Sequence, residues 1–197
     1  MMKKVDNGKN IPKSGANWGF SDKEPKVEEN SREVVIEKCI MDLSDENWAV
    51  RLLAARALGE AASHGVDIGE KAIMALKNAL NDPHWAVVAE AYYALGEAGR
   101  NRPNIIDENF ITSLKNAMDH KNWILTGIVR RRLELALQHP DWHIRARVAE
   151  AFKEVAEKGH DISSAIEALK NVADNDEYPL VREAAREALR AAGVSVE

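Results

Sequence analysis

The side chains best equipped for chemistry in this chain are six histidines, a single cysteine and a cluster of arginines. His139-Pro140-Asp141-Trp142-His143 puts two imidazoles and a carboxylate within five residues, which are metal-ligand types. Pro140 makes the segment a turn, and it repeats the style of Asp82-Pro83-His84-Trp85, so it reads as a helix link and no metal is assigned. Cys39 is alone and cannot form an internal disulfide. It falls on an apolar helical face, as a core thiol does, rather than in the electropositive setting of a nucleophile. The sequence contains no nucleophile elbow, phosphate-binding loop, dinucleotide glycine fingerprint or paired-cysteine spacing. Accordingly no catalytic residue and no cofactor is assigned, and the chain reads as a binding module rather than an enzyme.

The charges are more informative. Lys121, Arg130, Arg131, Arg132, Arg145 and Arg147 fall between residues 120 and 147, opposed there only by Glu134 and Asp141. The sequence on either side is acidic, and the whole chain carries a net charge of −5 with a pI near 5.8. Two readings follow. The cations form a solvated helix face and pair with acidic neighbours, or they grip an anionic group or an acidic partner segment. Nucleic acid is disfavoured, because affinity for it comes mainly from neutralising phosphates.

The elements that must position these residues are repeated. Leu-Lys-Asn occurs at Leu76–Asn78, Leu114–Asn116 and Leu169–Asn171, followed nine residues after its Leu by Trp85, Trp123 and Tyr178. Trp48 and Trp142 head segments of the same kind. First-helix segments are expected at Val34–Leu43, Glu70–Leu80, Glu108–Met118 and Ser164–Ala173. Second-helix segments begin at the aromatics, after polar links such as Ser44-Asp45-Glu46-Asn47 that cap the next helix. Apolar residues keep helical spacing, as in Ile73, Leu76 and Leu80. Gly65, Gly99 and Gly159 are expected just past helix ends. The lead tryptophans, at a fixed place in each unit, are read as wedges buried between repeats rather than as a stacking ladder for a ligand.

The period then breaks. Trp48 to Trp85 is 37 residues and Trp85 to Trp123 is 38, but Trp123 to Trp142 is only 19. One helix, roughly 123–138, must therefore end one repeat and begin the next. The fold class expected is all-α: a right-handed α-solenoid of stacked helix pairs, with about nine helices in four to five repeats and a half-repeat phase change near 123–142.

Asp45, Trp48, Val50, Arg51, Ala54, Ala55, Ala57, Leu58, Gly59 and Glu60 give the pattern D-x-x-W-x-V-R…A-A-x-A-L-G-E. With it the chain resembles HEAT repeats, specifically the short HEAT-like type known from phycobilin lyases, over roughly residues 33–192. Val88 and Thr126 depart from it where the family has Arg. The resemblance implies a protein-binding or assembly scaffold acting through the concave face of the solenoid. The alternative it implies is a subunit of a chromophore (bilin) lyase or a related ligand-handling enzyme. HEAT-like di-iron hydroxylases carry adjacent His-Glu pairs, and no histidine here precedes a Glu.

Residues 1–32 are poor in aliphatics and read as a disordered N-terminal tail, with Trp18 and Phe20 as its only aromatic anchors. The solenoid is expected over 33–197. No apolar run approaches the ~20 residues of a membrane span, no signal-peptide stretch opens the sequence, and a cytoplasmic location is expected. Counting eight residues on from each lead aromatic places Arg56, Tyr93, Arg131, Glu150 and Arg186 in one row, of which the arginines and Tyr93 suit a protein partner. That row, with Arg130, Arg145 and Arg147 at the phase change, is the candidate partner-binding surface.

Overall fold

The computed structural model describes residues 25–196, and the described residues are helical with short links and no strand. The chain runs α1 (Pro25–Asp42), α2 (Trp48–Ser63), α3 (Gly69–Ala79), α4 (Trp85–Asn101), α5 (Glu108–Ala117), α6 (Trp123–Ala136), α7 (Trp142–Glu157), α8 (Ile166–Asn175) and α9 (Pro179–Ala191). Single 3-10 turns at Pro103–Ile105 and Ser163–Ala165 precede α5 and α8. The first helix begins at Pro25, ahead of the position 33 read from composition; Trp18 and Phe20 lie outside the described residues.

Each start has a local cause. Asn47, Asn122 and Asp141 accept hydrogen bonds from the free amides of Ala49, Ile124 and His143, and Asp107 from that of Phe110. These side chains satisfy donors that a helix cannot satisfy within itself. Gly65 and Gly159 end α2 and α7 in the left-handed region, at φ of 80° and 81°. Gly99 does not end a helix: it lies inside α4, where a Cβ would stand 2.6 Å from Ile106.

The helices form two layers. α2 packs along α4, α4 along α6, and α7 along α9, while α1, α3, α5 and α8 pair with the inner helices that follow them. The core between the layers is continuous, from Leu58 and Leu76 through Leu95, Leu114 and Val129 to Phe152 and Leu189. The half-repeat lies where the spacing placed it. α6 pairs with α5 and stacks on α4 as an inner helix, and it also pairs with α7 as an outer one. α5 consequently touches α7 as well as α6.

The tryptophans are not buried wedges. Trp48 and Trp123 are exposed, Trp123 to 80%, and Trp85 and Trp142 are partly buried. Each opens its helix, so its side chain projects at the solvent edge beside the link. Trp48 and Trp142 are covered by the residue capping the next inner helix. His84 stacks on Trp48 with ring centroids 3.9 Å apart, and Tyr178 stacks on Trp142 at 5.1 Å. Tyr178 is thus the N-cap of α9, one residue before the helix, and Pro179 occupies the position held elsewhere by Trp. The row read by counting from Tyr178 is out of register there by one residue.

Candidate functional site

The arginines at the start of the inner helices are staples between repeats. Arg51 donates from Nε and Nη2 to both oxygens of Asp82 in the next link, at 2.6 and 3.0 Å. Its Nη1 donates to the carbonyls of Asp45 and Glu46 in the link before its own helix. Arg145 repeats this with Asp176 at 2.7 and 3.0 Å and with the carbonyls of His139 and Pro140. The planar fork of the guanidinium suits both tasks at once. The Arg145 hydrogen bond holds the Asp176 carboxyl below the usual carboxylate range. Burial works to raise Asp82, but the bonds from Arg51 and the His84 amide outweigh it and hold that carboxyl low as well.

The five arginines of the central stretch therefore separate. Arg145 is 12% exposed and fully used in its staple. Arg132 is buried against Glu97. Arg130 donates to the Asp161 carbonyl at 3.0 Å and ties α6 to the link between α7 and α8. Arg131 and Arg147 lie on the surface, each held only by a carboxylate one turn on, Glu134 and Glu150. Arg56 pairs with Glu90 at 2.7 Å across α2 and α4, and Arg186 lies 3.8 Å from Glu183. Tyr93 is half-buried beneath the Arg132 guanidinium, 4.7 Å from ring centroid to Cζ. Arg56, Arg131 and Arg147 lie exposed on inner-layer helices, Arg130 and Arg186 are partly buried, and Arg145 and Tyr93 serve packing.

The segment 139–143 is a helix link. His139 takes the Asp141 amide on Nδ1 and lies 3.0 Å from the Pro103 carbonyl through Nε2, and His143 stacks on Trp142. Among the described residues no group of three or more His, Cys, Asp or Glu is arranged to hold a metal ion. Burial pushes the Cys39 thiol upward, with Asp42 adding to the effect, so it stays protonated among the core side chains.

Sequence reasoning missed a cleft. It lies between α3 and α5, has a volume of about 740 Å³, and is floored by Trp85, Val88, Tyr92, Phe110 and Leu125. Its polar rim includes Asp82, Asp107, Asp119, Asn109 and Asn116. A smaller cleft of about 240 Å³ is bordered by Trp123, Thr126 and Arg130. The two openings occur at Val88 and Thr126, the two inner helices without a staple arginine. The signal was present in the sequence as two departures from the repeat pattern; what it lacked was the space those departures leave.

No helix among the described residues is long and apolar enough to cross a membrane. A family model for HEAT repeats matches residues 36–133 and 129–190. The two matches overlap within α6, the helix that serves two repeats. No curated protein matches the sequence. Among solved structures, one engineered protein is 19% identical, covering 80% of this chain and 78% of that chain at a TM-score of 0.46. A second engineered protein is 21% identical, covering 79% and 80% at 0.44. A designed armadillo repeat protein in complex with the peptide (KR)4 is 16% identical, covering 87% and 95% at 0.41.

Proposed function

The chain belongs to the HEAT-repeat family, and on that premise we propose that it is a protein-binding scaffold whose inner-layer helices hold an acidic segment of a partner. The observation that carries this reading is the placing of Arg131 and Arg147, on α6 and α7, at the step in the stack. Arg131 is 66% exposed and Arg147 is 44% exposed, and each is opposed by a single carboxylate on its own helix. Glu150 is exposed as well, and an exposed pair of this kind is worth about 0–1 kcal/mol, whereas Glu134 is buried and also accepts from the Ser164 hydroxyl. A partner carboxylate can therefore replace Glu150 at small cost, or join the buried Glu134 on the exposed side of Arg131, and gain a planar, two-donor contact. Arg56 extends the same surface along α2, and Arg186, out of register by one residue on α9, is left out of it. Arg145 and Arg132 lie outside the exchangeable set, because their carboxylates are buried with them.

The experiment is a binding assay on a partner recovered by cross-linking to the full chain. Changing Arg131 and Arg147 to Glu is expected to weaken that partner tenfold or more, about 1.4 kcal/mol, with the helical circular dichroism unchanged. Unaltered affinity in the folded double variant would mean these cations are ordinary surface.

A further inference from the structure

Asp176 takes two arginines at once. Arg145, from the preceding inner helix, bonds its carboxylate, and Arg182, from the helix that Asp176 precedes, donates Nη1 to its carbonyl at 2.6 Å and to that of Glu177 at 3.2 Å. Asp82 stands in the same place between α2 and α4 and has only the first of these. Arg51 takes its carboxylate, but the residue that should fold back on its carbonyl is Val88. Among the described residues no donor reaches the carbonyl of Asp82 or of Pro83. The corresponding carbonyl pairs before α2 and α7 take Nη1 of Arg51 at 2.8 and 3.0 Å and of Arg145 at 2.8 and 3.1 Å.

The volume that the missing side chain would occupy is open. Asp82, Pro83 and Val88 form one wall of the 740 Å³ cleft, and Asp119 and His120 face them from the next link. That volume lies within the ~300–1,000 Å³ of ligand sites. Each rim carboxylate already has its cation, Arg51 on Asp82, Lys77 on Asp107 and Lys158 on Asp119, so the free acceptors are the two carbonyls. Two successive carbonyls, of the kind that Nη1 of Arg51, Arg145 and Arg182 takes elsewhere in the stack, match a planar multi-donor cation better than a point charge.

We infer that this cleft receives a guanidinium from outside the chain, the arginine side chain of a partner peptide. Its nitrogens donate to the carbonyls of Asp82 and Pro83, and its methylene stem lies along Val88 and Trp85. The guest restores around Asp82 the two-arginine arrangement already built around Asp176. This site is separate from the Arg131 and Arg147 surface and does not rest on it.

The test uses the full chain, labelled with nitrogen-15, titrated with acetyl-Leu-Arg-Leu-amide and with the same peptide carrying citrulline, which keeps the shape and removes the charge. Saturable shifts are expected at the amides of His84–Val88 and His120–Asn122, with the citrulline peptide at least tenfold weaker. Val88→Arg supplies the guanidinium from within the chain and is expected to abolish peptide binding at those amides. Arg131→Glu with Arg147→Glu is expected to leave it unchanged. No binding of the arginine peptide, equal binding of the citrulline peptide, or full binding by folded V88R each overturns the assignment. Should V88R not fold, the two-peptide comparison on the wild-type chain decides alone.

Discussion

The Arg132 guanidinium lies 2.8 Å from the Glu97 carboxylate, with the two side chains 8% and 5% exposed. The pair joins α6 to α4 at the point where the stack changes phase. Arg132 reaches it by crossing Gly96, where a Cβ would stand 2.5 Å from its Cδ. Glu97 also takes Arg100 at 2.9 Å, so the buried carboxylate is satisfied from both sides. Arg132 Nε, by contrast, is buried without a partner.

Breaking this pair from one side leaves a buried charge uncompensated. Glu97→Ala is expected to cost about 3–5 kcal/mol, whereas Arg147→Ala, removing a pair exposed on both sides, costs at most about 1 kcal/mol. Equilibrium urea unfolding of the two variants measures the contrast. Equal and small losses would show that the buried pair contributes no more than a surface one.

One substitution should act with opposite signs at two glycines. A Cβ at Gly59 would meet the Tyr93 ring at 2.8 Å and the Ala94 backbone at 3.2 Å, because α2 and α4 approach closely there. Gly59→Ala is expected to destabilise by about 1–3 kcal/mol. Gly127 lies inside α6 with nothing within 4 Å of the same position. Gly127→Ala is expected to stabilise by roughly 0.5–1 kcal/mol through backbone entropy. Thermal unfolding of both variants is the check, and loss of stability at Gly127 would refute the space argument.

The stability of the stack should fall in acid through Asp82 and Asp176. Both carboxyls are held below their ordinary range in the folded chain, Asp176 by Arg145 foremost, Asp82 by Arg51 and the His84 amide against the opposing pull of burial. A depressed folded value means that the stabilisation is present above the unfolded carboxylate range and is lost as pH drops through the folded one. The urea midpoint should therefore hold near neutrality and decline below about pH 4. Asp176→Asn should be less stable at neutral pH and lose less on acidification. An acid limb parallel to that of the wild type would exclude Asp176 as a source of the decline.

The helices, their links and the phase change were legible from the sequence, because each depends on residues close together in the chain. Asn47 and Asn122 cap amides two residues away, and the 19-residue gap between Trp123 and Trp142 leaves room for one helix only. What each exposed-looking residue does was decided by tertiary structure. Arg131 and Arg145 are the same residue type in the same basic stretch, yet the one is solvated and the other stapled, because only Arg145 has an Asp 31 positions later in the facing link. The tryptophans hold a fixed place in the repeat, but their cover comes from the next unit. His84 and Tyr178 can stack, while Asn122, at the same N-cap position before α6, leaves no ring for Trp85. The cleft at Val88 follows the same rule. A missing side chain is visible in the sequence, and the space it opens exists only once two repeats are stacked.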